Sequence, residues 1–335
     1  MGLIKECIED KKTDINPIWI MRQAGRYLPE FRRIRKQHPD FIRLCLNKKI
    51  VPEITLQPLK RFNFDAAIIF SDILMLPYAL GQEVKFTKGL GPLLGKLNFK
   101  RIKKIKKADF IEKLKPVYKS IKVVSNDKIL KKKDLFGFIG APWTVFLYMK
   151  NRKSPKEFKK NNYIFHNKNE RELFRTIIDF LKIHIKEQVN NGASIIQIFD
   201  SWAGLLNNEK NKDDLLYKPT KELVKFTKRL GVPIVCFPRG IKDYKTYCKK
   251  INPDAINIDY QVDPKKILKQ IHIPVQGGLD PKILFGDKYQ IKKEAIKYLE
   301  IFRDHPYIFN LGHGILPKTK VESVKYLVNL VKDFK

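Results

Sequence analysis

Apolar residues along this chain fall into two recurring patterns. Short runs, apolar on both faces and often β-branched, occupy 17–21, 66–70, 135–139, 194–199, 232–237, 255–258, 273–275 and 307–311. Runs of that kind suit strands of a parallel sheet covered on both sides. Most are separated by segments of helical character. In 170–189, Leu173, Ile177, Phe180, Leu181, Ile185 and Val189 recur at three- and four-residue steps. Arg171, Arg175, Lys182 and Lys186 hold the opposite side, so the segment predicts an amphipathic helix packed outside a sheet. The segments 221–230 and 320–331 read the same way, and Gly192, Gly231 and Gly312 punctuate boundaries.

Eight strands alternating with helices predict the α/β class, and a single (β/α)8 TIM barrel rather than an open doubly wound sheet. A length of 335 residues suits one such domain over 1–335. The Lys-rich connection 81–130, with Gly89, Gly91, Pro92 and Gly95 near its start, is expected to hold a loop excursion and one or two helices.

Charge changes this picture little. The net charge of +33 comes mostly from lysines scattered in short runs such as 103–107 and 131–133, as a solvated surface would carry them. No nucleic-acid motif accompanies the excess, so nucleic acid is not an expected partner. Cys7, Cys45, Cys236 and Cys248 form neither a Cys-x-x-Cys nor a His-x-Cys pair, which suits reduced thiols in a cytoplasmic protein. No apolar run is long enough for a membrane span, and 1–12 mixes charges unlike a signal or transit segment.

In a barrel of this kind the active site is built where the strands end. The residues that follow the predicted strands are Arg22-Gln23-Ala24-Gly25-Arg26, Ser71-Asp72, Gly140-Ala141-Pro142-Trp143 and Asp200-Ser201-Trp202-Ala203-Gly204. The remaining four end in Pro238-Arg239-Gly240, Asp259-Tyr260, Gln276-Gly277-Gly278-Leu279-Asp280 and Gly312-His313-Gly314. A mouth with several arginines, few carboxylates, one histidine and many small residues suits a bulky polyanion. Guanidinium forks bind carboxylates bidentately, and small residues let backbone amides approach. Carboxylate and phosphate ligands would both fit, and no Gly-x-x-x-x-Gly-Lys phosphate loop is present.

Five of these strings carry a resemblance. Residues 21–31 (MRQAGRYLPEF), 66–74 (AAIIFSDIL), 140–144 (GAPWT), 199–204 (FDSWAG) and 310–314 (NLGHG) occur in the order found in uroporphyrinogen decarboxylases. The likeness runs from about Pro17 to about Val331. It implies removal of carboxyl groups from the four acetate side chains of uroporphyrinogen III to give coproporphyrinogen III, in haem biosynthesis. It also implies that no cofactor or metal is needed, because a protonated pyrrole can serve as the electron sink. An eight-carboxylate substrate accounts for the arginines.

The resemblance further implies roles. Asp72 matches the central aspartate that accepts pyrrole N–H bonds and steadies a cationic ring. Arg22 and Arg26 match carboxylate-binding arginines, with Arg22 also a candidate for positioning or delivering the proton, although a guanidinium is a poor acid. Gln23, Ala24 and Gly25 belong to the same substrate-binding stretch, Ala24 and Gly25 through free backbone amides. Tyr148, Ser201 and His313 match substrate contacts. A homodimer with facing mouths is implied as well.

Three strings depart from the family pattern: Lys150-Asn151-Arg152-Lys153-Ser154 after the tyrosine, Arg239 where Lys is familiar, and Gly278 where Asn is usual. These departures are expected to lie clear of the assigned residues. Two rival readings are weaker: a zinc–thiolate methyltransferase lacks its His-x-Cys pair here, and a non-catalytic tetrapyrrole carrier would be expected to have lost Asp72 or Arg22.

Overall fold

The computed structural model describes residues 2–12, 14–87, 91–154, 165 and 167–334. Gly89 and His166 lie outside the described residues. Nine strands run in chain order: β1 (Ala66–Ile68), β2 (Val84–Thr87), β3 (Gly91–Leu94), β4 (Asp134–Gly140), β5 (Ile195–Asp200), β6 (Ile234–Pro238), β7 (Ala255–Ile258), β8 (Val275–Gly277) and β9 (Tyr307–Ile308). Seven of them form one parallel sheet in the order β1-β4-β5-β6-β7-β8-β9. Sequential neighbours joined through outer helices are the barrel arrangement that the alternating pattern predicts.

The eighth stave is the 17–21 stretch. Ile18 bridges Phe309 in parallel, and the Phe309 N–H donates to Pro17 O at 2.8 Å. On its other side the Asp65 N–H donates to Ile18 O at 2.9 Å, while Asp65 Oδ2 accepts the Ile18 N–H at 2.7 Å. Lys332, from the helix Val321–Asp333, pairs with the other oxygen of Asp65. The ring therefore closes, but with only a bridge where a longer strand was expected, because the chain turns sharply at Arg22.

Strand alternation decides what fills the ring. Trp19, Phe136, Ile195, Val235 and Ile308 pack in a fully buried layer, with Trp19 stacked on Phe136 at 4.5 Å. A polar layer lies among them. The Trp19 indole donates to Gln276 Oε1 at 2.9 Å, and Gln276 Nε2 donates to Asn257 at 2.7 Å and Gln197 at 3.1 Å. Ile4, Cys7 and Ile8 of the short helix Leu3–Glu9 belong to the same buried cluster, so this helix stoppers the lower end of the ring. That plug was not legible in the mixed charges of 1–12.

Outside, the helix Lys168–Asn190 buries Leu173, Ile177, Leu181 and Ile185 as its periodicity predicts, and Asn167 caps it by accepting the Glu170 N–H at 3.0 Å. The segment 81–130 contains the helices Phe99–Lys103 and Lys107–Ser125. It also contains an antiparallel hairpin, β2 with β3, that the sequence did not announce. Leu93 in turn bridges Lys153, and the Leu94 N–H donates to Arg152 O at 2.7 Å, so the hairpin docks on the chain just beyond Tyr148.

Among the described residues, no helix is long and apolar enough to cross a membrane.

Candidate active site

The ring is open at the ends of its strands. Phe136 and Ile195 are fully buried, yet Phe138, one inward position above Phe136, and Phe199, two above Ile195, are only half-buried. So are Ile68 and Ile73. Phe138 and Phe199 meet edge to face at 5.6 Å, giving the hollow an apolar floor. Sequence reading had treated them as ordinary core.

Arg22 stands above this floor on a strained turn. The Gln23 N–H donates to Ile20 O at 2.9 Å, which closes a turn with Arg22 as its third residue, at φ +63°. Glycine normally takes that position, and a side chain there costs about 1 kcal/mol or more. Gln23 holds the strain in place. Its Oε1 accepts the Ile20 N–H at 3.1 Å, and its Nε2 donates to Ala66 O at 2.9 Å. The Gln23 side chain is thus buried in the wall, where it holds the turn that carries Arg22. Ala24 and Gly25 differ: among the described residues their backbone amides donate to no protein acceptor.

The stem of Arg22 lies across Gly314, where an added Cβ would come within 2.4 Å of Arg22 Cδ. The guanidinium keeps solvent access inside the hollow, yet protein surrounds it. Burial lowers its pKa; Asp72 and Tyr148 oppose that shift, and Arg239 and Arg26 add to it. Arg26 is exposed at the rim.

Asp72 follows β1 in a tight turn, its Oδ1 accepting the Leu74 N–H at 2.8 Å. Burial pushes the carboxyl up to about 6, held back by that N–H and by Arg22. No direct ion pair joins Asp72 to Arg22, and Oδ2 accepts from no donor among the described residues. The loss of water around the carboxyl therefore outweighs the attraction of one arginine.

Tyr148 sits on the helix Pro142–Asn151, edge-on to Trp202 at 6.2 Å. Burial raises its pKa; Ser154 and Trp202 oppose that, Asp72 adds to it, and Arg22 opposes it again. The Thr144 hydroxyl donates to the buried Asp200 carboxyl at 2.6 Å and accepts the Trp202 N–H at 3.2 Å. This ties the helix of Tyr148 to the end of β5, where Ser201 lies half-buried. Burial pushes Asp200 up to about 7 despite those hydrogen bonds. His313 is held down to about 4, first by burial and then by Arg22 and Arg239.

Arg22, Arg26, Asp72, Tyr148 and His313 are thus brought into electrostatic contact around one hollow, with Ser201 at the adjoining strand end. Two of the departing strings do not lie clear of them, contrary to expectation. The Ser154 hydroxyl donates to the Tyr148 hydroxyl at 3.5 Å, and Arg239 acts on both Arg22 and His313. Arg239 stands directly after β6, among the strand-end arginines that the sequence places at the mouth, although no individual role was read for it. Gly278 needs no side chain: it has φ +105°, and a Cβ there would come 2.6 Å from the Tyr298 ring. The four thiols are buried or half-buried, and burial pushes every one of them up.

Known proteins share this fold and much of this sequence. A methyltransferase from Methanosarcina mazei superposes with a TM-score of 0.80 at 19% identity, covering 99% of this chain and 97% of its own, so the two share a fold. Curated proteins named uroporphyrinogen decarboxylase are much nearer in sequence. That of Rickettsia bellii is 42% identical over 95% of both chains. That of Wolbachia pipientis wMel is 42% identical over 95% of this chain and 94% of its own. The family model described as Uroporphyrinogen decarboxylase (URO-D) matches residues 2–334, and the chain belongs to that family.

Proposed function

We propose that this chain converts uroporphyrinogen III to coproporphyrinogen III by removing the carboxyl groups of its four acetate side chains, as a step of haem and tetrapyrrole synthesis. Family membership and the names of its relatives support the reading. The observation that carries it is the pairing of one desolvated carboxyl, Asp72, with converging guanidinium groups above an apolar floor. The pyrrole faces of the macrocycle rest on such a floor, and its peripheral carboxylates reach the arginines.

Decarboxylation leaves an electron pair that must be accommodated. Protonating a pyrrole carbon makes an iminium-like ring that accepts it, so the chemistry as written calls for no cofactor. Asp72, with an oxygen left free, accepts pyrrole N–H bonds and stabilises the ring as it becomes cationic. In surroundings poor in water this interaction is stronger than in bulk solvent. Arg22 and Arg26 grip carboxylates, and Arg22 positions or delivers the proton. Ala24 and Gly25 offer backbone N–H groups; Tyr148, Ser201 and His313 complete the contacts. In this reading the enzyme works in the cytoplasm as a homodimer with facing mouths, which sedimentation equilibrium would measure.

The direct test is anaerobic incubation with uroporphyrinogen III under reducing conditions, followed by chromatography of the oxidised porphyrins. Stepwise appearance of hepta- to tetracarboxylate species is expected. Full turnover by Asp72→Ala or Arg22→Ala would remove the assigned roles.

A further inference from the structure

We infer that Arg239 is a third substrate-binding guanidinium, and that it holds a carboxylate which the reaction leaves in place. The inference rests on the reading above and extends it to a residue that the family motifs do not single out.

The backbone around Arg239 is clamped from four directions. Its N–H donates to Asp200 O at 3.0 Å, and its carbonyl accepts the Gly204 N–H at 3.0 Å. The next N–H, of Gly240, donates to Asp259 Oδ2 at 3.2 Å, and Gly240 O accepts from Asn207 Nδ2 at 2.9 Å. Gly240 has φ +74°, and the turn presses so closely on β5's extension that a Cβ on Gly204 would come 2.6 Å from Gly240 O. Such a fixed base sets where the side chain starts, and so which part of the mouth its guanidinium can reach.

Among the described residues the guanidinium, partly open to solvent, makes one long ion pair and no direct hydrogen bond. The nearest carboxylate, Asp259, is 4.0 Å away, beyond hydrogen-bond reach. Asp259 is also committed elsewhere, with Oδ2 taken by Gly240 and Oδ1 accepting the Gln261 N–H at 3.1 Å. A group with five donors therefore has no protein acceptor among the described residues. Its charge instead faces a second guanidinium, Arg22, and the uncharged imidazole of His313. Like charges converging on a partly open side chain leave a gap that an anion fills, and a planar fork favours a carboxylate.

The four rounds select which carboxylate. Acetates are lost one after another, so a guanidinium on a fixed base that serves every round meets one of the propionates. These persist through all four rounds. The contact is consequently the same in the ground state and the transition state, and it sets KM rather than kcat.

The experiment compares the full-length chain with Arg239→Met and Arg239→Lys, using uroporphyrinogen III under anaerobic conditions and checking each variant by circular dichroism. Losing a charged fork is expected to raise KM for Arg239→Met by about 10- to 100-fold, with kcat within about twofold. Arg239→Lys, which keeps the charge but loses the fork, should lie between. The proportions of hepta-, hexa- and pentacarboxylate intermediates at matched conversion should be unchanged, because every round loses the same contact. A folded Arg239→Met with unaltered KM overturns the inference, as does a kcat loss with one intermediate accumulating. Should Arg239→Met not fold, an unaltered KM in Arg239→Lys is equally decisive against it. Failure of the unsubstituted chain to consume uroporphyrinogen would instead overturn the proposed function, and this inference with it.

Discussion

Replacing Asp72 by Asn should make the protein more stable and nearly inactive at once. The carboxyl is displaced from an ordinary 3.8 to about 6, chiefly by burial. A displacement of that size corresponds to at most about 3 kcal/mol of charging cost in the folded state, and about 1–2 kcal/mol once water in the hollow is allowed for. The sign follows from the folded value lying above the unfolded one. The penalty is absent below about pH 4, grows as the pH rises, and is complete above about pH 6. Asparagine keeps the oxygen that accepts the Leu74 N–H and carries no charge, so its advantage follows the same curve. Urea unfolding of both proteins between pH 4 and 8 measures it. The midpoints should coincide near pH 4 and separate in favour of Asp72→Asn above pH 6. Turnover of uroporphyrinogen should fall about 100- to 1000-fold, the usual loss when a single preorganised electrostatic group is removed. Parallel stability curves, or a less stable Asn protein at pH 8, would refute the claim that Asp72 is held in unfavourable surroundings.

Three further outcomes are expected. The kcat/KM of the unsubstituted chain should decline on the acid side with a midpoint near pH 6, as Asp72 takes up its proton and can no longer accept pyrrole N–H bonds from both oxygens. His313, held down to about 4 by burial and two arginines, should gain a proton when ligand carboxylates neutralise those arginines. Calorimetric titration with uroporphyrin near pH 6, in two buffers of different ionisation enthalpy, should therefore report proton uptake that His313→Asn abolishes. Two glycine substitutions should separate fold from function. In Gly312→Ala the new Cβ would come 2.2 Å from the Tyr260 backbone nitrogen, which should destabilise the protein by about 2–3 kcal/mol in urea unfolding. In Gly314→Ala it meets the movable stem of Arg22, so kcat/KM should fall about tenfold or more while the unfolding midpoint changes little.

What could be read from the sequence follows from what each residue was doing physically. The seven regular staves of the ring were legible because a strand covered on both faces is apolar throughout, as in Phe136 to Ile139 or Ile195 to Phe199. The helix Lys168–Asn190 was legible because one face is wet and the other dry. The hairpin β2–β3 was not, since its pleats mix Lys, Thr, Gly and Pro and its second strand is secured by a distant partner, Lys153. The plug helix Leu3–Glu9 escaped notice because only Ile4, Cys7 and Ile8 of it face the core. At the site, the strand-end rule placed Arg22, Asp72, Ser201 and His313 at the right end of the ring. It could not tell that Gln23 turns into the wall, that Phe138 and Phe199 form a floor, or that Arg239 lacks an acceptor. Those depend on where long side chains go, which one sequence does not encode locally.

Four features of the hollow are individually unfavourable in the empty protein: a non-glycine residue at φ +63°, a carboxyl pushed up, a histidine pushed down, and guanidinium groups facing one another. The last three share one cause, the removal of water from charges without full replacement by protein partners. Rearranging Gln23 or pairing Arg239 fully with Asp259 would relieve part of the cost, yet the hydrogen bonds around both residues hold them apart from such relief. A ligand with carboxylates on its rim and N–H groups at its centre supplies each missing partner: anions for the arginines and His313, and donors for Asp72. The electrostatic cost is thus specific, since a ligand of the opposite charge pattern would add to each of those three penalties.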